Sequence, residues 1–286
     1  MSSRRSKTYS KKHQNRDRGI ALISVLWVLL LLSGLAGAAA FMARTNAILT
    51  HKLGEFAQAE ETADAAIANA ISRLSDETSS RHPPIDGHSQ TWEFQGAQVN
   101  VSISSEAGRI DINTADDDLI LALLYSQGVE EGRATTLLGD LRKSQHVANG
   151  PASAGTLRTL EELKKISSWA GQNLDCWADA LTVYTGLPGV TPSDATEQVQ
   201  AALRWAQEHR IGNRDRIAAK ANVPAVRSDQ SILGEVIRIV ATVSSTPGIT
   251  ATSEWIGRLT GDSHQPTLTM RWAHKDIGAL VACRIS

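Results

Sequence analysis

The residues of this chain best equipped for chemistry are few, and their spacing supports no recognisable catalyst. Asp116-Asp117-Asp118 presents three carboxylates in a row, the hard oxygen donors that calcium favours. The run lacks the spacing and the downstream bidentate glutamate of a calcium-binding loop. Thr114 followed three residues later by Asp117 reads instead as a capping-box variant, with negative charge placed where a helix N-terminus attracts it. Eight histidines occur without an HExxH or His-x-His pair, and serine and cysteine lack a nucleophile elbow. No glycine-rich phosphate loop is present either. The two cysteines, Cys176 and Cys283, are too far apart for a metal knuckle. They either form one disulfide, if the bulk of the chain lies outside the cytoplasm, or remain two separate core thiols. These residues predict a protein that is not an enzyme and holds no metal.

The elements around them are more informative. The 286 residues are 42% hydrophobic and 21% charged, an ordinary globular balance, with a net charge of -1 that excludes a global basic field for nucleic acid. The charge is unevenly placed. Arg4, Arg5, Lys7, Lys11, Lys12, Arg16 and Arg18 precede Ile20 against the single acid Asp17, and 24 uncharged residues then run from Ile20 to Ala43. At about 1.5 Å per helical residue that run spans a hydrocarbon core of about 30 Å. The basic leader predicts a cytoplasmic N-terminus and a periplasmic or exterior remainder. A secretory signal would have a shorter apolar region, roughly 7–15 residues, and a small-residue cleavage site, which Gly34–Ala40 could supply.

Apolar residues then continue at helical spacing through Leu49, Leu53, Phe56, Ala63, Ile67, Ala70 and Leu74, a heptad-like seam. No Gly or Pro falls between Glu55 and Asp76, and Pro83-Pro84 is predicted to end the helix. Ile20 to about Leu74 thus reads as one helix, half in lipid and half packed on a head. Period-two alternation predicts strands over Thr91–Phe94 and Gln98–Ile103, then Ile237–Val243, Glu254–Leu259 and Leu268–Trp272, an antiparallel meander. Helical texture separates the two groups from Ile112 to Ala225, with a capped start at Thr159 and a helix from Thr196 to Glu208. The fold class is α+β.

Several of these features carry a family resemblance. Arg18-Gly19-Ile20 at the edge of the apolar run resembles the class III signal of type IV pilins and type II secretion pseudopilins. The order in which RIDINTADDDLILALL is followed by a helix pair, TLEEL, LTVYTGLPGV and a further helix is similar to that of the K-type minor pseudopilins. The resemblance implies a pilin-like head interrupted by a helical, SAM-like or helix-hairpin-helix-like domain. It divides the chain into a leader (1–19), an anchor (20–43), a spine with first strands (44–111), the insertion (112–225) and the last strands (226–286). It implies cleavage between Gly19 and Ile20 by a prepilin peptidase and N-methylation of Ile20. Ser24 stands at mature position five, where most pilins carry glutamate and the K type does not. An uncharged residue there avoids a lone carboxylate in lipid.

The implied role is assembly at the filament tip with other minor pseudopilins on an inner-membrane platform, in contact with secreted cargo or the outer-membrane secretin. Leu49, Leu53, Phe56, Ile67 and Leu74 would form the partner-helix seam. The chain departs from the family at Gly139–Gln145, where an acidic, tryptophan-containing segment is usual, and at Ile211–Val226, where the second helical lobe is usually longer. No cofactor is expected; calcium is the one ion the resemblance leaves open. Two alternatives remain: a minor pilin of a type IV pilus, and a membrane-anchored DNA receptor. The second rests on Asp111-Ile112-Asn113-Thr114-Ala115, similar to the start of helix-hairpin-helix modules. Glu130 and Glu131 at the presumed phosphate seat would repel the nucleic-acid backbone.

Overall fold

The computed structural model describes residues 14–76, 82–94, 96–147, 156–172, 174–209, 233–244, 249–262 and 264–275. Its contacts divide the chain into one unit up to Glu55 and another from Phe56 onward. Helix α1 runs from Gln14 to Ser75. It begins before the expected Ile20, because a single helix glycine such as Gly19 costs only about 1 kcal/mol. It also stops ahead of Pro83-Pro84, so the prolines are not what ends it. Within the first unit the side chains from Leu22 to Leu53 are exposed, and α1 carries the one stretch among the described residues long and apolar enough to cross a membrane.

In the second unit the described strands β1 (Ser89–Phe94), β2 (Ala97–Ser105), β5 (Val236–Ser244), β6 (Thr250–Leu259) and β7 (Thr267–Lys275) form an antiparallel sheet in the order β1-β2-β5-β6-β7. Each predicted strand is present and extends slightly beyond its expected limits. Alternation decides what each face touches. Val99, Val101 and Ile103 of β2, Ile237, Ile239, Ala241 and Val243 of β5, and Ala251 and Trp255 of β6 pack against Ala59, Ala63, Ala66, Ile67, Ala70 and Leu74 of α1. Four alanines on the helix side favour the helix and leave room for the indole of Trp255. A β-bulge at Ile256/Gly257 lets that ring lie over Gly257, where an added Cβ would sit 2.3 Å from it.

The helical block enters between β2 and β5. A 3-10 turn at Glu106–Gly108 leads into β3 (Ile110–Asp111), which pairs in parallel with β4 (Leu181–Thr182). Between them lie α2 (Asp117–Ser126) and α3 (Glu131–Val147), and after them α4 (Glu197–His209). These elements close a second core around Leu119, Ile120, Leu123, Leu137, Leu141, Leu163, Trp169 and Val199. Two local expectations need correction. Thr114 makes no capping box: its hydroxyl donates to the Leu187 carbonyl, and Asp116 is the N-cap of α2. The segment after Thr159 is a 3-10 helix, Leu160–Lys165, not an α-helix. Its apolar residues Leu160 and Leu163 are three positions apart, so a three-residue turn directs both toward that core, and Ile166 and Trp169 just beyond the helix pack on it as well.

Candidate functional site

The predicted assembly residues separate into two kinds. Gly19 and Ile20 fall inside α1, and Ser24 lies on its exposed surface. Leu49 and Leu53 are 56% and 60% exposed, whereas Ile67 and Leu74 are 0% and 3% exposed within the head's own core. Phe56 is half-buried against that same core. The expected seam is therefore corrected: Ile67 and Leu74 are committed to the sheet and are closed to a partner helix. Of the five seam residues, Leu49 and Leu53 are the two with exposed apolar side chains. Cys176 is half-buried beside the helical core and is not a free thiol. Cys283 lies outside the described residues.

On the sheet face away from α1, alternation places charges where the insertion meets it. Glu106, at the 3-10 turn leaving β2, is fully buried. It accepts from Arg238 Nε of β5 at 2.6 Å and from the Thr182 hydroxyl of β4, and Arg109 Nη1 lies 3.3 Å away. Arg238 also reaches Glu254 of β6 at 3.4 Å, and Lys275 of β7 donates to Glu254 at 2.5 Å. Burial alone would depress the Arg238 guanidinium, but Glu106 and Glu254 hold it above its ordinary value. Burial likewise opposes ionisation of Glu254, and Arg238, Lys275 and Arg271 outweigh it and keep its carboxyl low. For Arg109, burial and the neighbouring Arg238 win, pushing it down. At the rim, Arg271 of β7 grips Glu161 with two hydrogen bonds of 3.0 and 2.8 Å. That grip brings the Glu161 carboxyl down to about 2. Backbone contact completes the junction. Thr191 N–H donates to the Ala107 carbonyl at 2.7 Å, and a Cβ on Gly108 would stand 1.9 Å from the Asp194 carbonyl oxygen.

The motif that resembles a nucleic-acid module is occupied internally. The buried Asp111 carboxylate accepts from the Asn113 N–H, the Thr185 hydroxyl and the Gly186 N–H. The Asn113 side chain bonds both backbone groups of Leu157. Arg142 of α3 donates to Asp117 at 2.7 Å, to the Ala115 carbonyl at 2.6 Å and to Gln145. Asp117 of the acidic run is thus engaged by a guanidinium. Among the described residues no group of three or more His, Cys, Asp or Glu is arranged to hold a metal ion.

No family model matches the sequence, and no curated protein matches it either. A solved structure does. It is the GspK-GspI-GspJ complex from the type 2 secretion system of enterotoxigenic Escherichia coli, one chain of which aligns with a TM-score of 0.52. The alignment covers 79% of this chain and 99% of that one at 13% identity. This chain has the same pilin-like fold.

Within that pilin-like head, sequence reasoning missed the two charge sites that join its parts. Besides the Glu106 cluster there is a clip on the opposite face. Asp64 of α1 accepts from Trp272 Nε1 of β7 at 3.0 Å, and His274 Nε2 lies 3.0 Å from its other oxygen. Burial works against the Asp64 charge, yet Ser253, Trp272 and His274 around it hold its carboxyl low. The same contact raises His274. A signal for the first site existed: Arg238 is the one charge in β5, and Glu254 is a charge in the interior of β6. They are diagonal neighbours, since Arg238 pairs with Ile256 and Glu254 with Val240. Nothing local marks Asp64 among the acids of α1.

Proposed function

We propose that this chain is a minor pseudopilin of the K type in a type II secretion system, acting by assembly and contributing no catalysis. The observation that carries the reading is a pilin-like sheet laid on a spine helix, opened between β2 and β5 by a helical domain, behind an exposed apolar segment. Partners of the kind named in the solved complex, GspI and GspJ, would meet α1 through its exposed apolar surface, Leu49 and Leu53 included. In this reading Ile20 to Ala43 anchors the chain once in the inner membrane, with the basic leader cytoplasmic and the head periplasmic. Prepilin peptidase cuts between Gly19 and Ile20 and methylates Ile20. Ser24 suits a subunit with no neighbour above it, because it leaves no carboxylate unpaired in lipid. The helical domain then stands at the filament tip, where secreted cargo or the secretin would be met. Energy would come from a separate cytoplasmic ATPase, and this chain needs no cofactor.

Nucleic-acid binding is disfavoured by the internal use of Asp111, Asn113 and Arg142. The deciding experiment is the mass of the mature N-terminus, taken from membranes of cells with and without the peptidase. A peptidase-dependent, N-methylated Ile20 is expected. An intact Met1, or a start beyond Gly34, would overturn the proposal.

A further inference from the structure

Among the described strands β7 lies at one edge of the sheet, with β6 as its neighbour. The β6–β7 register is interrupted at Ile256/Gly257, so backbone pairing holds this strand less regularly than it holds β5. Side chains supply what the ladder lacks, and they do so on both faces. Trp272 and His274 point to the α1 side and grip the Asp64 carboxylate with one contact each, both 3.0 Å. Arg271 and Lys275, in the alternate register, point to the other side. Arg271 forks onto Glu161 of the 3-10 helix Leu160–Lys165, and Lys275 bonds Glu254 in the buried cluster. Consecutive residues 271 and 272 thus hold the helical domain and the spine helix from opposite faces of one narrow strand.

We propose that β7 is a coupling strand, through which a displacement of the spine helix at Asp64 loosens the helical domain at Glu161, and the reverse. An edge strand whose position depends on contacts at both faces cannot keep one set when the other is lost. Arg271 and Trp272 share a backbone that, among the described strands, pairs with β6 only. By linkage the effect is reciprocal. Under the assembly role proposed above, an event on α1 would reach the domain at the far side of the sheet. The coupling itself does not rest on that role, because it is a property of the single chain.

The test is amide hydrogen exchange, read by mass spectrometry on the full chain in detergent micelles. Asp64→Asn should speed exchange in β7 and also in residues 160–165, by about two- to fivefold, the size expected for losing a partly exposed charged contact. Glu161→Gln should in turn speed exchange in α1 around residues 60–68. Trp272→Phe, which removes the Nε1–H donor and keeps an aromatic side chain of smaller size, should reproduce the pattern if Asp64→Asn folds poorly. Asp117→Asn serves as the control, since it breaks an ion pair inside the helical domain without touching β7. Acceleration confined to α1 and β7, with residues 160–165 unchanged, would overturn the proposal. So would an identical pattern from Asp117→Asn, which would mean general softening.

Discussion

Glu106→Gln puts the buried charge cluster to its hardest test. The change preserves shape and removes one negative charge from a side chain with no solvent exposure. Arg238 then has at most a neutral amide oxygen in place of its carboxylate partner at 2.6 Å, and Arg109 loses the carboxylate that offsets its neighbouring guanidinium. One amide proton of the new glutamine must also face these cations or the Thr182 hydroxyl. Breaking a buried ionic set by deleting one partner costs about 3–5 kcal/mol. For a head of this size each kcal/mol moves the melting temperature by about 2–4 °C, so the expected drop is roughly 6–20 °C. Differential scanning calorimetry of the full chain in micelles reads it. Two comparisons isolate the cause. Glu161→Gln removes a carboxylate that is 53% exposed and should cost only about 0.2–1 kcal/mol. Replacing Glu106 and Arg238 together with Leu and Met should recover much of the loss, because a buried pair is often no better than an apolar one. A Glu106→Gln drop no larger than that of Glu161→Gln would refute the reasoning, since it would mean water already screens the cluster.

Gly108→Ala should lower the melting temperature by overpacking, about 1–3 kcal/mol or more. The added Cβ meets a backbone carbonyl at 1.9 Å, which cannot swing aside as a side chain would. His274 makes the clip to Asp64 pH-sensitive. Its folded-state pKa is raised, so its contribution is full below the ordinary value of about 6.5 and disappears as pH rises through the folded value. The difference in stability between the wild type and His274→Gln should therefore shrink on going to alkaline pH, and a difference that grows would contradict the assignment. Leu53→Ala should leave head stability within about 0.5 kcal/mol and weaken copurification with partner subunits, whereas Ile67→Ala should cost about 2–5 kcal/mol by opening a cavity. Equal melting temperatures for the two variants would reject this division of the helix. Cys176 and Cys283 are proposed to pair. Under the chain-entropy relation a loop of about 100 residues closed this way stabilises by about 4.7 kcal/mol, and a non-reducing peptide map lacking the linked pair would exclude it.

Patterns with a short repeat were legible in the sequence. The 3.6-residue spacing from Leu49 to Leu74 predicted the long helix, and period-two runs predicted β1, β2, β5, β6 and β7 close to where they lie. The order in which strands give way to helices and return predicted an insertion inside an α+β head. Each of these follows from neighbours within a few positions, which is where backbone geometry acts. Cap and boundary details were less legible. Thr114 could cap α2 or bond Leu187, and only the approach of the Leu187 loop chooses between them.

What the sequence by itself determined is the kind of each element: an apolar segment with a basic leader, a spine, five strands and a helical block. Where that spine turns from free surface into core was a tertiary decision, because Leu53 and Ile67 carry similar side chains and differ only in whether the sheet lies over them. The partners of the charges were tertiary as well. Glu106 meets Arg238 across 132 positions, and Asp64 meets His274 across 210. No local period links residues so far apart. Strand order and the two faces of the pleat bring them together, and only after they meet does an isolated arginine in an apolar strand become part of a clamp.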